Sequence, residues 1–192
     1  ANLKINVFIH HLEQFIEADT VYYDKEAGFG EDFNNITISD TIQDAIVKGH
    51  YAHYLKSDSN AYVTDSAVAI FIDKRDSLFL HSDTLKVLFD STEKAEFLLA
   101  YNKVKFFRDD LQGASDSLAY DVKDSTIRMY RQPVLWADDN QLTADSIWLA
   151  IADNQLDSIA FFSKCFIISR DDSGTYNQIK GKNMVGYFKK NQ

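Results

Sequence analysis

The sequence predicts an all-β protein of antiparallel strands joined by short turns, in a single elongated domain over residues 1–192. Three observations lead there. Tyr and Phe together with many Val, Ile and Thr favour the pleated strand over the helix (ten Tyr and fourteen Phe). Apolar residues recur with period 2 over many short runs. A tripeptide Asp-(Ser/Thr)-apolar returns along the chain at Asp19, Asp65, Asp76, Asp83, Asp116, Asp145 and Asp157, with a near copy at Asp124. The spacing is irregular and reads as a degenerate repeat of about 30 residues, split by second corners.

The elements follow in order. At the N-terminus "LKINVFI" alternates, while Phe8, Leu12, Phe15 and Ile16 would also suit a helical face; strand is the preferred reading through Tyr23. "GHYAH" at 49–53 reads as strand, which puts His50 and His53 on opposite sides and removes them as a metal pair. Val68, Ile70 and Ile72 alternate with Ala69 and Phe71. Phe97, Leu99 and Tyr101 precede Asn102, and Val104 and Phe106 follow it. Gly113 is expected to supply a positive φ just before a corner. Ile127 and Met129 alternate with Arg128 and Tyr130. Pro133 opens "PVLW", where a missing N–H is tolerated at a strand's first residue. Ile147, Leu149 and Ile151 alternate, and Ile159, Phe161, Phe166 and Ile168 continue the pattern. Acidic and amide clusters such as "RDDLQG" and "RDDSG" mark the turns. Strands at this spacing make a sandwich, a barrel or a stacked sheet.

The acidic corner has a physical reading. An Asp carboxylate accepts from backbone N–H groups one or two residues on and fixes an Asx-type turn. The apolar residue after the Ser or Thr is then the first to point inward. A calcium column would need glycine at nearly every turn, and the chain has seven.

Charge and composition exclude several function classes. A net charge of −9 argues against nucleic acid, which needs clustered Lys and Arg. No apolar run is long enough to span a bilayer as a helix. Cys165 stands alone in "FFSKCFII" and reads as a buried small hydrophobe, without disulfide or Cys-based zinc chemistry. No nucleophile elbow or phosphate loop occurs, and Asp109-Asp110, Asp138-Asp139 and Asp171-Asp172 read as solvated turns. The expectation is a protein that is not an enzyme and uses no cofactor. Ala1 at the start and the strand-like "NMVGYFKKNQ" at the end give the expectation of a trimmed piece of a longer chain.

"LAYNKVKFFRDDLQGASDSLAYDVKDSTIRMYRQPVLWADDNQLTADSI" resembles the OstA-like/LptA family of periplasmic lipopolysaccharide-transport proteins. The likeness rests on Asn102 and Val104 at a strand start, Asp116 at a corner, Tyr120-Asp121 at a turn, and Pro133, Asn140 and Gln141 before the corner at Ala144-Asp145. "EADTVYYDKEAGFG" at 17–30 looks like another copy. The resemblance is strongest to the Bacteroidetes-type OstA-like variant. Most of the family's turn glycines are missing here.

The resemblance implies an elongated two-sheet antiparallel β-jelly-roll or β-taco, folded into an open V with an apolar lining. It implies a periplasmic protein that shields lipopolysaccharide or related glycolipid acyl chains on the way to the outer membrane. It also implies assembly with other OstA-like components, or with copies of itself, by end-to-end strand pairing. The residues expected to line the groove are Ile70, Phe97, Leu99, Val104, Phe106, Ile127, Met129, Trp136, Leu149 and Phe161. The competing reading is a structural β-solenoid or assembly module with a filled core and no lipid.

Overall fold

The computed structural model describes residues 2–11, 14–42, 44–73, 77–137, 139–152, 155–171 and 173–188. Its strands are β1 (Asn2–His11), β2 (Gln14–Asp24), β3 (Phe29–Asp40), β4 (Ala45–Leu55), β5 (Asn60–Phe71), β6 (Leu78–Phe89), β7 (Ala95–Arg108), β8 (Leu111–Asp121), β9 (Thr126–Tyr130), β10 (Val134–Ala137), β11 (Asn140–Thr143), β12 (Ser146–Ala152), β13 (Gln155–Arg170) and β14 (Tyr176–Tyr187). The one helical turn among the described residues is a 3-10 turn at Lys56–Asp58. The all-β expectation holds, including strand at both ends of the ambiguous N-terminal segment.

The chain is an antiparallel meander in which each long pass pairs with the next. Strands β9 and β10 together make one pass, and so do β11 and β12. In each case the halves pair with different parts of the same neighbours. β1 and β14 each pair on one side among the described residues.

From β2 onward, every pass is interrupted near its middle. On alternate passes two consecutive residues take left-handed backbone: Asn34-Asn35, Asp65-Ser66, Asn102-Lys103, Arg131-Gln132 and Ser163-Lys164. Opposite each pair stands a single extra residue: Asp19, His50, Asp83, Asp116, Asp145 or Lys182. Two residues against one is the arrangement of a β-bulge, which bends a strand and adds twist. Stacked side by side, these bulges make one crease that divides the sheet into two arms.

The residues at the crease are chosen by backbone and by space. A non-glycine residue in left-handed backbone costs about 1–2 kcal/mol, least for Asn and Asp, and none of the ten positions is β-branched. Inside the crease lie Ala18, Ile36, Ala67, Ser82, Val104, Ser115, Pro133, Ala144 and Cys165, all buried. Gly49 and Gly181 hold the equivalent ladder positions opposite Ile36 and Cys165. The row is small because the two arms converge there. Ser82 and Ser115 each donate their hydroxyl to the carbonyl two residues on, at 2.9 and 3.0 Å, across the corner.

The Asx turns predicted for the corners occur in the hairpin loops instead. Asp90 accepts from the N–H groups of Thr92 and Lys94, Asp171 from those of Ser173 and Thr175, and Asp24 from those of Glu26 and Ala27. At the corners the carboxylate reaches across the ladder to the neighbouring kink. Asp19 accepts from Asn35 at 2.9 Å, and Asp83, Asp116 and Asp145 pair with Lys103, Arg131 and Lys164 at 3.4, 3.1 and 3.2 Å. The apolar residue after each corner does point inward: Val21, Leu118 and Ile147 are buried, and Leu85 packs on the core. Gly113 corrects the expectation of positive φ. It lies inside β8, and its role is to leave room for Phe106. Pro133 does precede a strand and is fully buried. Cys165 is buried, with its thiol 3.1 Å from the Lys182 carbonyl, and burial pushes its pKa up.

Candidate functional site

The crease settles which side chains face the inside. Successive side chains on a strand alternate faces. A two-residue kink keeps the alternation in phase, while a single extra residue shifts it by one. In β7 the inward residues are therefore Leu98 and Ala100 on one arm and Val104 and Phe106 on the other. In β8 they are Gly113 and Ser115, then Leu118 and Tyr120. Ladder partners share a face, so the inward residues form rows that cross the whole sheet.

On the first arm one row runs Ile16, Ile38, Val47, Ala69, Leu80, Phe106, Gly113, Leu135, Leu142, Ile167 and Ile179. On the second arm the matching row runs Val21, Asp32, Ala52, Val63, Leu85, Ala100, Leu118, Met129, Ile147, Phe161 and Met184. Buried residues of both arms from β7 to β13 join in one cluster, which includes Phe106, Met129, Leu135, Ile147, Leu149 and Phe161. A second cluster, from β2 to β5, is built of Ala18, Val21, Ile36, Ala52, Val63 and Ala67. The slot is thus filled by large side chains in its C-terminal half and lined mainly by small ones in its N-terminal half.

Six of the ten residues expected to line the groove face inward together: Val104, Phe106, Ile127, Met129, Leu149 and Phe161. Four face out. Ile70 pairs with Ile46 and Phe79, Phe97 with Leu88 and Asp121, and Leu99 with Lys86 and Ala119, all on the outer face. Trp136 is 40% exposed and donates its indole N–H to Gln141 at 3.3 Å. These four are corrections: all lie on passes with two-residue kinks, which keep the alternation in phase, so Ala69, Val104, Phe106 and Met129 facing inward put Ile70, Phe97, Leu99 and Trp136 on the other face.

Asp32 was missed. It is the one carboxylate in these two rows, between Val21 and Ala52, and burial pushes its pKa up to about 6. The acidic corners read from the sequence at Asp19, Asp83, Asp116 and Asp145 belong to a wider signal for the crease that includes His50 and Lys182. Its tripeptides are small-charged-polar: Ala-Asp-Thr at 18, Gly-His-Tyr at 49, Ser-Asp-Thr at 82, Ser-Asp-Ser at 115, Ala-Asp-Ser at 144 and Gly-Lys-Asn at 181. They recur at about the predicted repeat length.

The outer face of the second arm carries aromatic contacts. Tyr22, Phe29, His53 and Tyr62 touch in series, with His53 stacked on Tyr62 at 5.1 Å. Tyr51 donates to Glu31 at 2.6 Å, and burial together with that bond pushes its pKa up. Arg128 lies over Trp148 at 5.0 Å, and Trp148 packs on Phe162 at 4.9 Å. Among the described residues no three His, Cys, Asp or Glu side chains are placed to hold a metal. No helix there is long and apolar enough to cross a membrane.

Comparison with known families bears directly on this slot. Residues 54–155 match the family described as LptA/(LptD N-terminal domain) LPS transport protein. The chain belongs to this family. The match covers strands β5 to β12. The solved structure of LptH from Pseudomonas aeruginosa, described as the LptA-homologous periplasmic component of a conserved lipopolysaccharide transport device, is similar in fold. It has a TM-score of 0.53 and 11% identity, covering 73% of this chain and 97% of that one. A second structure, Kluyvelomyces marxianus Hsv2, is similar at a TM-score of 0.17 and 7% identity over 96% of this chain and 97% of that one, too low to bear on the fold. No curated protein matches the chain. The LptA-like family assignment agrees with the taco-like, creased antiparallel sheet observed here.

Proposed function

We propose that this LptA-family chain is a non-enzymatic periplasmic carrier, holding lipopolysaccharide or a related glycolipid by its acyl chains on the way to the outer membrane. One observation carries the reading. Two apolar rows cross all the passes from β2 to β14 without a break other than Asp32, and in β4 and β5 they are lined by Val47, Ala52, Val63 and Ala69. Each buried CH₂ contributes about 0.8 kcal/mol, so a straight apolar channel is the economical cover for an alkyl chain in water. The ligand would lie against Ala52, Val63 and Ala69, where side chains are short. The large side chains around Met129 and Ile147 favour a second role for the C-terminal half, as a filled core that holds the crease rigid. The open edges of β1 and β14 would pair with other transport components or with further copies.

Photo-crosslinking tests this reading. A benzophenone amino acid at Ala52 or Val63 should label lipopolysaccharide, and one at Phe97 or Leu99 should not. Equal labelling from both faces, or none from Ala52, overturns the slot.

A further inference from the structure

A concavity of about 920 Å³ lies outside the crease, on the opposite side of the sheet from the slot. Its floor is a single ladder row. Tyr130 pairs with Ser117 on one side and with Ser146 on the other, and Ser146 pairs with Phe162. Strands are about 4.8 Å apart, so the rings of Tyr130 and Phe162, two strands apart, are spaced by roughly 9.5 Å with a serine hydroxyl between them. Tyr101 continues the row one further step of the same length, beyond Ser117. Phe162 is 37% exposed, and its ring packs against Trp148 on the same outer face.

The wall of the trough is the crease itself. Asp116 with Arg131, and Asp145 with Lys164, make two ion pairs that leave the trough electrically balanced. Their Arg and Lys side chains remain 77% and 78% exposed. A guanidinium carries five donors and a carboxylate about four acceptor sites, so each pair keeps groups free to meet a ligand. The bonds from Ser163 and Lys164 hold the Asp145 carboxyl below its usual range, which keeps it an acceptor.

Rings at a fixed spacing, Phe162 and Tyr101 exposed and Tyr130 half-buried between them, with hydroxyls along the row and balanced donor-acceptor pairs alongside, suit one chemistry. They suit a neutral, polyhydroxylated chain whose apolar ring faces stack on aromatics while its hydroxyls bond to fixed polar groups. A polyanion would find no net positive charge here, and a cation no free carboxylate. We propose that the outer trough at Tyr130, Phe162, Arg131 and Lys164 is a binding site for a neutral oligosaccharide chain. It is separate from the slot and independent of acyl chains. The sugar could be a free polysaccharide or the glycan of a glycolipid, and both present the same hydroxylated rings.

The test is affinity electrophoresis of the full chain through native gels. One set contains neutral polysaccharide (pullulan, galactomannan or hydroxyethyl cellulose), one contains heparin, and one contains the lipid-free polysaccharide released from lipopolysaccharide by mild acid. Retardation by a neutral or lipid-free glycan, reduced at least fivefold in Phe162→Ala and in Arg131→Gln, supports the site. A set retarded by the lipid-free polysaccharide alone assigns the glycolipid source, and one retarded by pullulan or its analogues assigns free polysaccharide. Both substitutions are on the exposed face, and an unchanged circular dichroism spectrum verifies the fold. No retardation by any neutral or lipid-free glycan overturns the proposal. So does stronger retardation by heparin, or retardation by a neutral or lipid-free glycan that survives both substitutions, which would place the glycan elsewhere on the chain. Loss of crosslinking at Ala52 leaves this result untouched, so the two readings fail separately.

Discussion

Phe106 lies directly across the ladder from Gly113, and its ring fills the space a side chain at 113 would need: a Cβ there would fall 2.3 Å from two ring atoms. Phe106 is buried against Leu80 and Leu135 on the same row. Gly113→Ala should therefore force the ring out and cost about 1–3 kcal/mol, as overpacking does. Phe106→Leu in the same chain should recover most of that loss. Urea denaturation of the single and double variants measures it, and additive losses would show that the two sites do not share this space.

Alternation along β13 makes adjacent residues unequal. Phe161 is 2% exposed and faces the core, while Phe162 faces the outer trough. Phe161→Ala should cost about 3–5 kcal/mol and Phe162→Ala about 1 kcal/mol or less. Equal losses would break the assignment of faces, and the slot with it.

Left-handed backbone at Lys103 sets a backbone rule. Lys103→Val should destabilise by about 1–2 kcal/mol, because a β-branched side chain is poorly accommodated at positive φ. Lys103→Gly should stay within about 0.5 kcal/mol, since glycine's conformational freedom in the unfolded chain offsets the relief of strain. The ion pair to Asp83 contributes little, with the two side chains 79% and 40% exposed, so Lys103→Gln serves as its control. Thermal melts compare the three variants, and a Val variant as stable as wild type would rule the kink out as a constraint.

Asp32 gives a pH dependence of defined sign. Burial raises its pKa from 3.8 to about 6, so between these values the folded state keeps a proton that the unfolded chain has released. Its contribution is complete below about pH 4 and is lost as pH rises through about 6. Asp90 and Asp171, held low by hydrogen bonds from neighbouring hydroxyl and N–H groups, act the other way and lose their contribution as pH falls. Melting temperatures of wild type and Asp32→Asn should coincide near pH 4, with the Asn variant higher from pH 6 upward. Parallel curves across that range would place Asp32 in water.

The sequence by itself determined the strands, the repeat of about 30 residues, the family and the rule that the residue after each acidic corner turns inward. Those are local matters: strand propensity, period-2 patterning and turn chemistry act within a few residues. It also placed Val104, Phe106, Ile127, Met129, Leu149 and Phe161 together, because each lies on a run whose phase was read correctly. Only the tertiary structure decided that Ile70, Phe97, Leu99 and Trp136 face outward. It alone placed the corner carboxylates of Asp83, Asp116 and Asp145 against Lys103, Arg131 and Lys164, and put Asp32 on an apolar row. The physical reason is register. Whether an interruption adds one residue or two is fixed by the strand alongside it, and that choice sets the face of every side chain beyond the bend.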